Sequence, residues 1–438
     1  MKRDRHFICL MLLLLPLFLA AGELRLVVTA DLHGSMEKFC RLAVPIRQVA
    51  EPRVAIDLGD LVQGGWVADA LDGIPMVDLL NALHYDVLVP GNHDFELGRA
   101  AFGRLLNRFQ GKVLGAEWDW PGVFTPVKWT MIRRGDVSAA FIGLTDPLQN
   151  TRMLPGDGVR FLLASSALAG LEKEVLAEAP DVVVLACHRG RYSSAENLFD
   201  LLGRTPWIDV VLGAHTHEEV PGARVGRAFY VQPGSHAAAA AEVTILTDEK
   251  GRKPPRITAR FLRPEPESEP DPEAARIVAA ANAEVRQKIP QKRYTLDVPP
   301  GEALANAMLN VGDATAALAV FSGKEPELVA ELSNFQLFRL FPYRNEVCTV
   351  ALSRKELRDV VEAIAHRRRK TMQIAVAGFK ITLDKRNNLT HFSAPERVVL
   401  AASDYVLTTL ARDLPFVRER ARRTGITERE VVARFLAP

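Results

Sequence analysis

Cysteine is scarce in these 438 residues: Cys9, Cys40, Cys187 and Cys348 are all there is. Loss of a leader carrying Cys9 would leave three, too few for a disulfide framework and an odd number with at least one thiol unpaired within the chain. Cys187 adjoins His188 after a strand-like run and reads as a small buried apolar residue rather than a metal ligand. A dominant charge is missing too. The 55 Lys and Arg nearly balance the 53 Asp and Glu, for a formal net charge of +2. Overall charge therefore gives no argument for nucleic acid or an acidic membrane as partner. The one dense basic run, HRRRK at 366–370, closes a predicted helix, where the dipole favours cations and water solvates them. Long apolar runs are absent beyond residue 21, so no later segment is expected to span a bilayer. No internal repeat is visible. The bulk composition, 48% apolar and 25% charged, is ordinary globular material with length for about two or three domains.

The N-terminus is distinctive. Lys2, Arg3 and Arg5 precede the nearly unbroken apolar run FICLMLLLLPLFLAA at 7–21. A short apolar core behind a basic start reads as a secretory signal, with small residues at Ala20-Ala21-Gly22 placing cleavage after Gly22. An uncleaved anchor is the alternative, but the run is short of the roughly 20 residues a span requires. Cys9 sits mid-run, away from the small residues, which argues against lipid attachment. The mature chain is expected to be exported, periplasmic in a Gram-negative cell, with no stable membrane insertion.

From Leu24 to about Leu246, β-like apolar runs alternate with helical stretches. Residues 66–83 carry apolar side chains at helical spacing (Val67, Ala70, Leu71, Ile74, Val77, Leu80), and so do residues 165–179. The alternation predicts layered α/β structure. FYVQPG and AEVTIL read as closing strands. Residues 264–272, PEPESEPDP, hold four prolines and four acids and read as an exposed linker. A helix follows, capped by Asp271 with Pro272 in its first turn. Residues 295–438 mix helices (302–311, 353–368, 427–435) with strands and form a second, smaller α+β domain. The organisation expected is a signal over 1–22, a layered α/β domain over 23–263, linker and helix over 264–294, and the second domain over 295–438.

Seven oxygen and nitrogen donors follow the ends of predicted strands. They are Asp31 and His33 in TADLHG, Asp60 in DLGDLVQGG, Asn92 in PGNHDFELG, His188 in ACHRG, and His215 and His217 in GAHTHEE. In an open α/β sheet, loops at the carboxyl ends of strands gather on one rim. Seven such donors suit two divalent cations, with Asp60 able to bridge ions about 3.5–4 Å apart. Two ions bring more positive charge than Asp31 and Asp60 return. The centre would attract an anionic substrate and acidify a water held between the ions, the natural nucleophile for a hydrolase. His93 is not needed as a ligand and is placed to donate a proton or to stabilise charge, with Glu96 or Asp94 to orient its ring. A lone His after a strand is more often structural, and His84, His236 and His391 are read that way. Five ordered motifs, each after a strand, are hard to obtain by chance.

These motifs resemble the five signature blocks of calcineurin-like metallophosphoesterases, and Gly59 to Gly98 is similar to the secreted 5'-nucleotidase and UDP-sugar hydrolase family. The resemblance implies that the seven donors are two-metal ligands. It also implies that His93 is the catalytic histidine and that Glu96 stands in for the usual aspartate of its dyad. In the C-terminal domain FRLFPYRNEVCTVALSRKELRDVVEAI resembles the family's Pro-Phe-Gly-Asn block, with Tyr343 and Arg344 replacing Phe and Gly. The family binds nucleoside there, between aromatics and arginines. The Gly-rich arginine stretch appears only as FSGKEPELVAEL, and the last Gly-Gly-Asp-Gly block is replaced by SDYVLTTLARDLPF, with Asp413 and Phe416 as remnants. Tyr343, Tyr405 and Phe416 are the side chains left to offer a π-face. The expected function is an exported two-metal phosphohydrolase, 5'-nucleotidase-like, acting through a metal-bound hydroxide on phosphate esters or anhydrides of nucleotides or related small molecules. Its cations would be Mn, Zn, Fe or Co. The alternatives are a sulfur-oxidation-type thiosulfohydrolase of the same superfamily and a binding protein without catalysis.

Overall fold

The computed structural model describes residues 20–145, 153–191, 196–248, 254–265, 267–289, 292–322, 332–367 and 372–437. Its apolar runs become strands buried on both faces, which is why they read as continuous rather than alternating. Ala20–Thr29, Arg53–Asp57, Val87–Leu88 and Lys112–Val113 run parallel in one six-stranded sheet. Ala240–Asp248 and then Arg256–Leu262 extend that sheet antiparallel from the free edge of Ala20–Thr29. A second six-stranded sheet has a parallel centre of Ala228–Pro233, Val210–Leu212, Val182–Cys187 and Val137–Leu144, with Glu219–Val225 and Trp129–Arg134 antiparallel at its edges.

Side-chain alternation along each strand divides these residues between two cores. Leu24, Leu26 and Val28 meet Phe141, Val184 and Val210 in a core between the sheets. On the outer face of the first sheet, Val27, Ala55 and Leu88 pack under the helices Met36–Arg47, Ile74–Ala82 and Gly98–Arg108. On that of the second, Val183, Leu185 and Cys187 pack under Ala164–Ala177 and Leu198–Gly203. Each large aliphatic side chain so buried contributes about 1.5–3 kcal/mol. The layered α/β expectation holds, with one refinement: the rim that gathers the loops belongs to two facing sheets rather than to one open sheet.

The helix expected over 66–83 is two helices, Trp66–Ala70 and Ile74–Ala82. Asp72 and Gly73 break it with left-handed backbones, φ +54° and +75°. The Asp-Gly pair tolerates that conformation at little cost, and the apolar spacing alone did not register it.

The linker gives way to the helix Pro272–Lys288, where Asp271 caps the backbone N–H of Ala274 at 2.9 Å and pairs with Arg47 at 2.7 Å. Ala274, Val278 and Ala281 join the first unit's outer core. The C-terminal unit is a mixed five-stranded sheet in the order Met372–Ala377, Ala316–Ser322, Arg397–Ser403, Glu346–Ser353, Arg422–Thr427. Arg354–Arg367 covers one face, while Pro300–Met308 and Glu428–Phe435 cover the other. The two units touch through Arg344 on Asp72 at 2.7 Å, Arg423 on both Asp157 oxygens at 2.8 and 2.9 Å, and Trp66 against Phe338 with ring centroids 5.2 Å apart.

Residues 1–19, most of the expected leader including Cys9, lie outside the described residues, as do 368–370 of the basic run and 323–331 of the degenerate glycine-rich stretch. The first strand already begins at Ala20, pairing it with Asp248. Among the described residues no helix is long and apolar enough to cross a membrane. Cys40, Cys187 and Cys348 are all free and buried.

Candidate metal centre

The seven donors come together at the seam between the two sheets. Asp31 and His33 follow Ala20–Thr29, Asp60 follows Arg53–Asp57 and Asn92 follows Val87–Leu88, all from the first sheet. His188 follows Val182–Cys187, and His215 and His217 follow Val210–Leu212, from the second. They sort into two clusters, Asp31–His33–His217 and Asp60–His188–His215. Asn92 joins the second, its Oδ1 lying 2.9 Å from His215 Nδ1 and 3.2 Å from His188 Nε2. Asp60 lies between the clusters, with Oδ2 3.2 Å from His188 Nε2 and 3.8 Å from His33 Nε2.

The backbone is bent to make this possible. Five of the seven have positive φ: Asp31 (+50°), His33 (+46°), Asp60 (+55°), His215 (+72°) and His217 (+60°). Residues with a Cβ avoid this region, so its concentration here marks a site whose surroundings hold the chain in place. Several of those restraints are hydrogen bonds. Asp31 N–H donates to Gly59 O, His33 N–H to Asp60 O and His215 N–H to the Asp31 carboxylate, at 2.9, 2.9 and 3.1 Å. Asp94 accepts the N–H groups of Asp60, Leu61 and Gly91 and so pins the loop carrying Asp60. Glycine is required at 91, where a Cβ would strike the Asp60 carboxylate.

Donor and acceptor roles test whether cations fit. His188 Nδ1 lies 2.6 Å from Leu58 O, and His33 Nδ1 lies 2.9 Å from Gln63 O. A carbonyl only accepts, so each neutral ring carries its proton on Nδ1 and turns an Nε2 lone pair inward. His33 Nε2 then faces His217 Nε2 at 3.0 Å, and His188 Nε2 faces Asp60 and Asn92 oxygens. Lone pairs converging in two groups, with outer nitrogens tied to backbone carbonyls, are what divalent cations require. The donor set fits a dinuclear centre.

The electrostatics agree with so crowded a site. Burial pushes the Asp31 carboxyl up to about 7. Burial works against charge on Asp60 as well, yet His188 and His93 hold it well below the usual carboxylate range. Burial opposes charge on His188, but Asp60 raises it to about 10, whereas burial and the neighbouring His33 lower His217 to about 4.

His93 stands outside both clusters, half-buried, its ring centroid 5.6 Å from that of His33. Its Nδ1 is 2.9 Å from Glu96 Oε2, and Gln63 Nε2 donates to the same oxygen at 3.1 Å. Of the two acids considered as its partner, Glu96 is therefore the one in contact, and Asp94 serves the loop. Glu96 also lines a cleft of about 420 Å³ between the units, together with Trp120, Asp157, Arg344, Asp404 and Arg423.

Two neighbours of the site were not placed there by sequence reasoning. Arg344, noted only as a replacement for glycine, ties the units together by donating to Asp72 and to Asp69 O. His236, read as structural, lies against the first cluster, with ring centroids 5.0 Å from His33 and 5.4 Å from His217. Its signal was present in FYVQPGSH, a histidine just beyond an apolar run and a glycine. His391 is on an exposed hairpin strand and His84 in an exposed turn, and neither belongs to the two clusters. Among the aromatics, Tyr405 and Phe416 pack against the C-terminal core and Tyr343 is 43% exposed. Asp413 is paired with Arg367.

Residues 24–219 match the family model for calcineurin-like phosphoesterase. The chain is 27% identical, over 46% of its length and 17% of the other, to the trifunctional nucleotide phosphoesterase YfkN of Bacillus subtilis. It is also 27% identical, over 45% of its length and 37% of the other, to a 2',3'-cyclic-nucleotide 2'-phosphodiesterase/3'-nucleotidase of Haemophilus influenzae. It covers less than half the length of the curated relatives it matches. The fold is shared with a 5'-nucleotidase precursor from Thermus thermophilus across 95% of this chain and 96% of that one, with a TM-score of 0.67 at 18% identity. Residues 24–219 thus form a calcineurin-like phosphoesterase domain, and the second unit completes the architecture seen in 5'-nucleotidase structures.

Proposed function

We propose that the chain is an exported phosphohydrolase that uses two divalent cations to cleave phosphate esters or anhydrides of nucleotides or related small molecules. The observation that carries this reading is the convergence of lone pairs from both sheets beside the His93–Glu96 pair. The relatives' names, a nucleotide phosphoesterase and a cyclic-nucleotide phosphodiesterase, support nucleotides as the substrate class. In this reading Asp31, His33 and His217 hold one cation, Asn92, His188 and His215 hold the other, and Asp60 is shared. Such ions, when bound, neutralise phosphoryl charge and acidify water. Glu96 accepts a hydrogen bond from His93 Nδ1 and orients the ring. His93 then stabilises the transferring group, or protonates the departing oxygen as water attacks phosphorus in line. Residues 1–22 act as the export signal, 23–263 as the metal domain, 264–294 as linker and helix, and 295–438 as the domain that meets the rest of the substrate.

The test is phosphate release by residues 23–438, the chain left when that signal is removed, loaded with manganese. AMP, UDP-glucose, a 2',3'-cyclic nucleotide and p-nitrophenyl phosphates form the panel, with a coupled phosphatase for diesters and anhydrides. Turnover of AMP, UDP-glucose or the cyclic nucleotide is expected. Silence from a chain carrying two ions sinks the reading, and silence without metal uptake favours a binding protein.

A further inference from the structure

His236 occupies a position that neither the ligand set nor the His93–Glu96 pair uses. It lies just after the strand Ala228–Pro233 of the second sheet, in a turn where His236 and Ala237 both have left-handed backbones, φ +55° and +54°. Its own backbone N–H donates to Asp31 O at 2.7 Å. The turn is therefore fastened directly to the loop that carries Asp31 and His33. That bond holds the His236 backbone beside Asp31 in a conformation that a β-carbon-bearing residue seldom adopts.

The ring lies nearly parallel to His33, at 28° with centroids 5.0 Å apart, and edge-on to His217 at 79° and 5.4 Å. Yet its nitrogens do not fall within the tight groups of ligand atoms formed by Asp31, His33 and His217. It is one ring outside the cluster, as His93 is. His33 has His93 5.6 Å away and His236 5.0 Å away, so two imidazoles outside the ligand clusters accompany one ligand. Unlike His188, which is fully buried, His236 is exposed and open to an arriving molecule. Its Nδ1 is 2.9 Å from Ser235 Oγ. In the tautomer whose Nδ1 accepts from that hydroxyl, Nε2 carries the ring proton and can donate to an oxyanion.

We infer that His236 is a substrate-contacting residue of this centre, donating from Nε2 to a phosphoryl oxygen on the Asp31–His33–His217 side. The inference rests on the two-metal phosphohydrolase reading above and adds a donor to it. The exposed turn, the Ser235 contact and the backbone bond to Asp31 hold His236 beside the cluster that would meet a phosphate.

The experiment compares residues 23–438 as wild type, His236→Ala, His236→Gln and His236→Asn, each loaded with manganese. Three quantities are read: metal per chain, the Kd of inorganic phosphate by calorimetry, and kcat and KM on the best substrate. Loss of a hydrogen bond to a charged group predicts about tenfold or more weaker phosphate binding in the Ala variant, at unchanged metal content. Glutamine, whose amide nitrogen overlays Nε2, should restore most of it. Asparagine, whose amide nitrogen overlays Nδ1, should not. Unchanged phosphate affinity in the Ala variant overturns the inference while leaving the phosphohydrolase reading intact. Loss of metal in the Ala variant also overturns it, by making His236 a ligand. A wild-type chain that takes up two ions but neither binds nor releases phosphate overturns the phosphohydrolase reading and this inference with it.

Discussion

His188 Nε2 lies 3.2 Å from Asp60 Oδ2, across the seam between two sheets that share no strand. The same Asp60 oxygen is 3.8 Å from His33 Nε2 in the other cluster. A single carboxylate thus reaches both groups of donors, and its removal should be felt by both.

Asp60→Ala is therefore expected to lower kcat by at least about a hundredfold, the scale on which charge-stabilising groups act in such centres. Steady-state kinetics with metal analysis checks this. A variant turning over at close to the wild-type rate would remove the basis for a shared ligand.

For the pair outside the clusters the expectation differs. His93→Asn should reduce kcat by about 10²–10⁴-fold, the range for a positioned acid or base, while two ions per chain remain. Glu96→Gln keeps the shape and removes the charge, so it should depress kcat less and shift the pH profile. Metal loss in His93→Asn would instead place His93 among the ligands.

Arg423 gathers Asp157 from the first unit with Glu346 and Asp404 from the second. Arg423→Ala strands three carboxylates close together. It should cost about 1.5–3 kcal/mol, in line with hydrogen bonds to charged groups. Urea unfolding followed separately in each unit would read it. An unchanged midpoint would mean that the units hold together without this contact.

The three thiols should be inert in the native chain. Burial, with Glu37 and Asp271 adding to it, raises Cys40 from 9.0 to about 11, and burial raises Cys187 to about 12. At pH 8 roughly one Cys40 in a thousand is then thiolate, and alkylation should need unfolding. The native state holds these protons more tightly than the unfolded state does. Stability should therefore begin to fall as pH rises past about 9, and keep falling until the native thiols ionise. Rapid labelling of Cys187 at pH 8, read by mass spectrometry, would contradict its burial.

Much of this centre was legible in the chain. Asp31, Asp60, Asn92, His188 and His215 each follow an apolar run, and runs buried on both faces announce themselves without a partner strand. The pairing of two sheets was not legible, because a strand's composition states that both faces are covered but not by what. Nor was the left-handed backbone at His33 or His217, since histidine visits positive φ more often than most residues but its presence alone does not mark where. His236 was set aside for a related reason: one histidine after one glycine is common, and only the fold puts it beside His33. The break at Asp72–Gly73 was present in the letters but was outweighed by the apolar spacing on either side. Arg344 and Arg423 show the limit most clearly, because contact between units depends on relative placement that no short motif encodes.

The first strand has a consequence for timing. Ala20–Thr29 lies between Arg53–Asp57, made soon after it, and Ala240–Asp248, made some two hundred residues later. Until that late segment arrives, the sheet carrying Asp31 and His33 has an open edge, and the histidines of the facing sheet are themselves late products. An emerging chain has no complete cradle to offer a cation. Metal uptake should therefore report on the finished chain, and the ions it acquires should be those of the compartment in which the completed chain folds.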